Sequence, residues 1–222
     1  MINLVFSLYS FFAVSMTINM FITGGRAGQV TFFVMLSILI FQILEKQRIK
    51  SIITILIVMP GIFFTAYQSS NIFQSRVDQA VNNTINFEIN RNSSVGERIN
   101  FAINTWDVIK ENPIIGVGTG DFPSEYKKIN QISSPQMQPT TNPHNMYTLV
   151  TMQLGFIGLM SLLSIFYFQI KLSFISQNKF FKDLGFALPI MFLVIMLSDS
   201  YLLGHYTTLV FVFFSSFLYK NF

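Results

Sequence analysis

Long uncharged runs alternate with short polar interruptions along most of this chain, and one long polar stretch divides the runs into two groups of three. Residues 2–22, INLVFSLYSFFAVSMTINMFI, carry no charge. As a helix rising 1.5 Å per residue they reach about 30 Å, the thickness of a hydrocarbon core. With no basic region before it and no small-residue cleavage site after it, this run reads as a retained span and not as a signal peptide. Thr23-Gly24-Gly25-Arg26 breaks the pattern, a second run extends from Ala27 to Leu44, and Glu45, Lys46, Arg48 and Lys50 close it. A third run, Ile49 to about Tyr67, contains Pro60-Gly61, which a membrane helix tolerates as a kink. Apolar runs resume at Met146–Ile170, 184–203 and 205–219, the last two separated by a turn around Ser198-Asp199-Ser200.

Between the two groups, from Gln68 to Asn142, hydropathy collapses, so this segment is expected outside the bilayer. Its pattern still predicts helices. Ile72, Phe73, Val77, Ala80, Val81 and Ile85 recur at helical spacing, as in an amphipathic helix lying on a membrane or on the bundle. Ser94-Val95-Gly96-Glu97 has the form of a capping box, and Ile99, Ala102, Ile103, Trp106 and Ile109 then form one stripe that Asn112-Pro113 should end. The expected fold is all-α: a polytopic membrane helix bundle of about six transmembrane helices with a large helical extracytoplasmic loop. Its divisions fall at residues 1–67, three spans; 68–145, the loop domain; and 146–222, three more spans.

Charge orients this scheme. Lys46, Arg48, Lys50, Lys171, Lys179, Lys182 and Lys220 all fall on one side after even numbers of crossings. The positive-inside rule makes that side cytoplasmic, with both termini, and leaves Arg26, the 68–142 loop, His144 and His205 periplasmic or extracellular. Composition agrees, since 51% of the 222 residues are hydrophobic and 11% charged, with a mean hydropathy of +0.52. That is less than half the charge usual in a soluble domain. With no cysteine and only His144 and His205 as histidines, disulfides and thiolate or multi-histidine metal sites are not expected. The net charge of +4 is accounted for by orientation, with no call for nucleic acid.

Three groups on the outer side invite chemistry. Arg26, within Gly24-Gly25-Arg26-Ala27-Gly28, stands where a helix presents free N–H groups, a sound phosphate site; an arginine reaching out to lipid headgroups has the same appearance. Arg98 lies in the first turn of the capped loop helix, either facing the membrane or paired with a neighbour such as Glu97; Arg76 and Arg91 are alternatives in the same loop. His144 follows Asn142-Pro143, which read as N-cap and first helical residue. A neutral imidazole at that positive helix end could accept a proton, with Asn145 and Tyr147 near enough to position it, while a polar residue at the interface is the plainer reading. Gly116-Val117-Gly118-Thr119-Gly120 lacks the context of a nucleotide fingerprint and reads as a compact outer turn. Asp199 is an ionisable group near the bilayer, hence a functional candidate or a turn cap.

Taken together, Thr23-Gly24-Gly25-Arg26-Ala27-Gly28, Ser93-Ser94-Val95-Gly96-Glu97-Arg98, the run Glu111-Asn112-Pro113 through Gly120-Asp121-Phe122, and Asn142-Pro143-His144-Asn145 resemble, in order and spacing, the C-terminal half of the O-antigen ligase and O-antigen polymerase superfamily of bacterial envelope glycosyltransferases. The resemblance implies a multi-pass protein of the bacterial inner membrane that serves lipopolysaccharide or polysaccharide biosynthesis. The activity it implies is glycan transfer from an undecaprenyl diphosphate carrier to a glycan or lipid A-core acceptor, without metal, nucleotide sugar or other cofactor. It assigns Arg26 and Arg98 to the donor's diphosphate and His144 to the acceptor hydroxyl. Family members have about twice as many spans, so a truncated form lacking its N-terminal half is expected, and the aromatic one turn after the loop arginine is here Phe101. The alternative from another class is a non-enzymatic membrane subunit or transporter remnant that binds lipid or partner helices.

Overall fold

A computed structural model describes residues 2–220, with side chains from Ser7 onward. Every regular element among them is helical, as the pattern requires. The chain forms two compact units, residues 1–82 and 83–222.

The first unit opens with α1, Ile2–Ile22, which ends at the two glycines before α2, Arg26–Ile43; α3 runs from Arg48 to Ser69 and α4 from Asn71 to Ile85. Large apolar side chains on these helices, Phe11, Met16, Ile52 and Leu56 among them, stand exposed, which is untenable in water over such lengths and ordinary against lipid. The hydroxyls on the same helices return to their own backbone: Thr17 donates to Ala13 O, Thr31 to Ala27 O, Ser37 to Phe33 O and Thr65 to Gly61 O. A polar group facing hydrocarbon needs that internal partner. The small core gathers Phe21, Ala66 and Phe73. Phe73 meets Phe21 edge to face at 5.1 Å, and Ser70 fixes the approach, since its hydroxyl donates to Phe21 O at 2.7 Å and accepts from Phe73 N at 3.2 Å.

The second unit contains α5, Ser94–Glu111; α6, Phe122–Ser133; α7, Met146–Ile175; α8, Lys179–Ile195; and α9, His205–Tyr219, with a short 3₁₀ turn at Tyr201–Leu203. Its core runs through Phe101, Val108, Phe122, Met152, Phe166 and Phe192. α6 was not foreseen, although Phe122, Tyr126 and Asn130, all buried, mark one helical face and Pro123 suits its first turn. A polar layer joins α5 to α6: Ser134 Oγ donates to Asn100 at 2.8 Å, and Asn104 Nδ2 reaches the Tyr126 hydroxyl at 3.2 Å. Burial holds the Tyr126 phenol above its ordinary range, so it stays a neutral partner.

Among the described residues three helices are long and apolar enough to cross a membrane: α2, α3 and α7. The described part of α1 and all of α9 are apolar but shorter. The fifth apolar run, expected at 184–203, becomes α8 at Lys179–Ile195 instead. Asn178 caps it by accepting from Phe180 N, and Lys179 pairs with Asp183 one turn on, so the helix starts before the hydropathy rises. The glycine-rich loop is a turn, and it wedges against a break in α7 where Gly155 takes φ +64°. There Val117 N donates to Met152 O, Gly118 N to Gln153 O and Phe156 N to Pro113 O. The broken helix and the loop satisfy each other's backbone, as buried irregular chain must. Neither Gly116 nor Gly155 has room for a side chain: a β-carbon would lie 2.4 Å from Gln153 C and 2.0 Å from Ile114 O respectively.

Candidate functional site

His144 lies just outside α7, not on it. The expectation that Asn142 caps this helix with Pro143 as its first residue is corrected: Asn145 is the cap, its Oδ1 accepting from Tyr147 N at 2.9 Å and Thr148 N at 3.1 Å. Asn142 is occupied otherwise, accepting from His144 N at 3.0 Å and from Ser200 Oγ at 2.7 Å. Between the two asparagines His144 adopts a left-handed backbone, φ +51°, a conformation unusual for a residue with a β-carbon. Such strain at a site held by surrounding bonds is a recognised accompaniment of function.

The imidazole is gripped on two sides. Its Nδ1 lies 3.1 Å from Asp199 Oδ1, and its ring stacks on Phe101 of α5 with centroids 6.0 Å apart and planes 26° from parallel. Asp199 is itself fixed, the same oxygen accepting from Ser200 N at 2.7 Å and Asn142 Nδ2 at 3.3 Å. The side chains of His144 and Asp199 are each 39% exposed, open enough for a substrate to reach the ring. With the proton of a neutral imidazole on Nδ1, donated to Asp199, Nε2 carries the lone pair and is the atom left to accept a proton, the base-and-orienter logic of hydrolytic triads. Orientation therefore comes from a carboxylate 55 residues away in sequence and not from the α7 terminus. Asp199 was one of several candidates in the sequence, and no spacing singled it out.

Arg98 is exposed in the first turns of α5, which begins one residue after its cap, Ser93, whose Oγ accepts from Gly96 N at 3.1 Å. The cap thus falls one residue before the expected box, and Glu97 takes no part in it. Residues three apart on a helix share a face, with β-carbons about 5–6 Å apart. Arg98 therefore emerges on the side of α5 that carries Phe101 to His144. Asn145 and Tyr147 tether the start of α7: Asn145 Nδ2 donates to Leu197 O at 3.2 Å and the Tyr147 hydroxyl to Leu193 O at 2.5 Å. Beside Asp199 lies a cavity of about 400 Å³ lined by Asn142, Ser200, His205 and Tyr206 among others.

Arg26 belongs to the first unit. It is the first residue of α2, preceded by Gly25, which offers no side-chain cap, and a helix start of this kind favours an anion. The turn before it is clamped by a residue the sequence did not flag, Gln29. Buried, it donates from Nε2 to Met20 O at 3.3 Å and Thr23 O at 3.1 Å. In the same unit an apolar cleft of about 530 Å³ runs along Ile18, Phe21, Ile22, Gly61 and Ala66, ending next to this turn. Among the described residues no group of three or more histidines, aspartates or glutamates is placed to hold a metal.

Compared with known proteins, residues 11–163 match a family model described as O-antigen ligase. A protein of Haemophilus influenzae, strain Rd, described as uncharacterized, is 30% identical over 176 residues, which cover 73% of this chain and 43% of that protein. The chain thus spans less than half the length of that relative.

Proposed function

The chain belongs to the O-antigen ligase family, and from that premise we propose that it moves a glycan from undecaprenyl diphosphate to an acceptor hydroxyl, with His144 as the base. The observation that carries the reading is the His144 imidazole, stacked on Phe101 and held through Nδ1 by Asp199. In this scheme Nε2 takes the acceptor's proton as its oxygen attacks the anomeric carbon, and the bond from that carbon to the diphosphate oxygen breaks. Configuration inverts, and undecaprenyl diphosphate leaves with its charge. Arg98, and Arg26 at the start of α2, stabilise that charge as it develops. The apolar cleft beside the α1–α2 turn suits a prenyl chain whose phosphates sit at the turn. On this reading all six long apolar runs cross the inner membrane and the site faces the periplasm or exterior. The family's further helices, in cis or in trans, complete the groove, a view that the 43% coverage of the relative supports.

The test is to replace Arg26, Arg98 and His144 singly and together in the intact locus and examine surface polysaccharide on gels. Loss of the ladder with each replacement, at unchanged protein level, is expected. Normal laddering with all three replaced would remove the proposal and favour a non-enzymatic subunit. A product that retains anomeric configuration would remove direct displacement.

A further inference from the structure

The break at Gly155 divides α7 into two lengths with different surroundings. Residues 146–153 are all buried or half-buried, whereas large apolar side chains stand exposed from Leu154 onward, among them Phe156, Ile157, Met160, Phe168 and Ile175. A helix covered by its own protein has no need of lipid, and one that shows such side chains does. Residues 156–175 measure about 30 Å at 1.5 Å per residue, the thickness of a hydrocarbon core. Ser176, Gln177, Asn178 and Lys179 follow at once, and Lys171, inside the last turns, is long enough to reach that polar edge. The other edge of the hydrocarbon therefore falls at the break and not at the start of α7.

The tip of the glycine-rich loop lies at that level. Phe156 N donates to Pro113 O at 2.8 Å and Ile157 N to Ile114 O at 3.3 Å, while Gly118 N closes the other side on Gln153 O at 2.9 Å. Ile114 and Ile115 stand 65% and 72% exposed there. Two neighbouring isoleucines at a loop tip are a liability in water, but beside a lipid-facing helix they continue its apolar surface. Charges bracket them. Lys110 and Glu111 precede and Asp121 follows, all exposed, so the apolar tip is short, and the chain reverses through Gly116, Gly118 and Gly120, each with positive φ. Irregular backbone is tolerated at membrane depth where protein satisfies it, and the bonds to α7 do so.

α5 points the same way. It buries Asn100, Asn104 and Thr105 beside Phe101, Val108 and Ile109, yet leaves Ile103 and Trp106 exposed, against what water asks of a surface helix. The chain descends from Phe101 at His144 to Pro113 at Phe156, so Trp106 lies between the His144 cluster and the break. A tryptophan at that height suits the headgroup belt.

We infer that the tip at residues 113–116 is a wedge immersed in the edge of the bilayer on the loop's side, with Ile114 and Ile115 against acyl chains and Trp106 among headgroups. The bilayer is the occupant of this face because the face is continuous with the lipid-facing length of α7. The wedge holds α5, and with it Phe101 and the His144 ring, at a fixed height above the lipid. This immersion is independent of the chemistry at His144.

Trp106 is the only tryptophan in the chain, and there is no cysteine, so both ends of the wedge can be read in the full protein. The chain is reconstituted in phosphatidylcholine bilayers brominated either high or deep on the acyl chains. Trp106 is expected to lose emission to the shallow bromines and little to the deep ones. Ile114→Cys and Ile115→Cys, each carrying a polarity-sensitive dye, should show blue-shifted emission that bromine quenches, while Glu97→Cys at the upper end of α5 should emit as in water. A dye at Ile114 or Ile115 that emits as in water overturns the inference. So does one that is shielded from water yet untouched by bromine, because protein, a second copy or a further helix, then covers the face. Should the cysteine variants fail to fold, native Trp106 still decides: emission that no bromine alters, or that deep bromines quench as strongly as shallow ones, overturns the placement.

Discussion

The α1–α2 turn and the His144 cluster are both candidate sites, yet they are assembled in opposite ways. At the turn the anion-binding features are consecutive in sequence, with two glycines, an arginine and a helix start within Gly24–Gly28. The cluster draws on Phe101, Asn142, His144, Asp199 and Ser200, with partners up to 58 residues apart. A site written in adjacent residues keeps its shape through local backbone rules. One assembled from distant parts depends on the packing that brings them together, so the second unit should be the more fragile where its long-range contacts are cut.

The most severe test of that contrast is Gly155→Val. Its β-carbon would fall 2.0 Å from the Ile114 carbonyl oxygen at a φ of +64°, combining a backbone clash with a conformation closed to branched residues. A cost above about 4 kcal/mol is expected, in the range that few point mutations reach. The measurement is the yield of monodisperse protein in detergent. If the variant purifies normally, the wedge of Pro113–Gly118 against α7 is dispensable and the contrast is overstated.

Next in size is the chemistry of the cluster. His144→Ala should lower glycan transfer by roughly 10²–10⁴, the usual worth of a general base, with no change in melting temperature. Asp199→Asn should cost less but in the same direction, because the amide can hold Nδ1 while favouring the wrong tautomer. Transfer that is insensitive to Asp199→Asn would show that Phe101 and the strained backbone suffice to aim the ring.

Most of the helical fold was legible because lipid imposes a simple rule: runs without charge become helices, and α1, α2, α3 and α9 match the expected runs within one or two residues. Arg26, too, stands where the pattern put it. What sequence could not convey were choices among equivalent polar residues. Asn142 and Asn145 are both acceptable caps three positions apart, and the decision falls to Asn145 because Ser200, in another part of the chain, bonds to Asn142. Asp199 was indistinguishable from a turn cap until His144 was seen beside it. α6 was hidden by its low hydropathy, since one of its three buried residues, Asn130, is polar. The wedge at Gly155 was unreadable for a related reason: a glycine within a long apolar run looks like any other small residue until another segment's carbonyl lies against it.

In the first unit the corresponding break is Gln29→Leu, which keeps the volume near that of glutamine and removes both bonds to the α1–α2 turn. Leaving the Met20 and Thr23 carbonyls without this partner should cost about 1–2 kcal/mol. The turn should survive with looser anion binding, read as a lower melting temperature and a weaker response of that temperature to added undecaprenyl diphosphate. A loss comparable to that of Gly155→Val would mean that the turn is no more self-sufficient than the cluster.

The smallest effect is expected where the second unit is itself local. Ser93 caps α5 through Gly96 N, and Ser93→Ala removes the acceptor of that N–H at a cost of about 1 kcal/mol. α5 is otherwise anchored by Phe101, Val108 and Ile109, all buried, so the helix should persist, fraying only in the turn that carries Arg98. Phe101 lies two turns beyond the cap and keeps its stack on His144. The variant therefore separates two contributions: transfer should fall only as far as Arg98 loses its position, visible as a higher KM for the lipid donor at unchanged kcat. A fall in kcat equal to that of His144→Ala would show instead that the start of α5 sets the His144 ring, and that the cluster depends on a local cap as much as on Asp199.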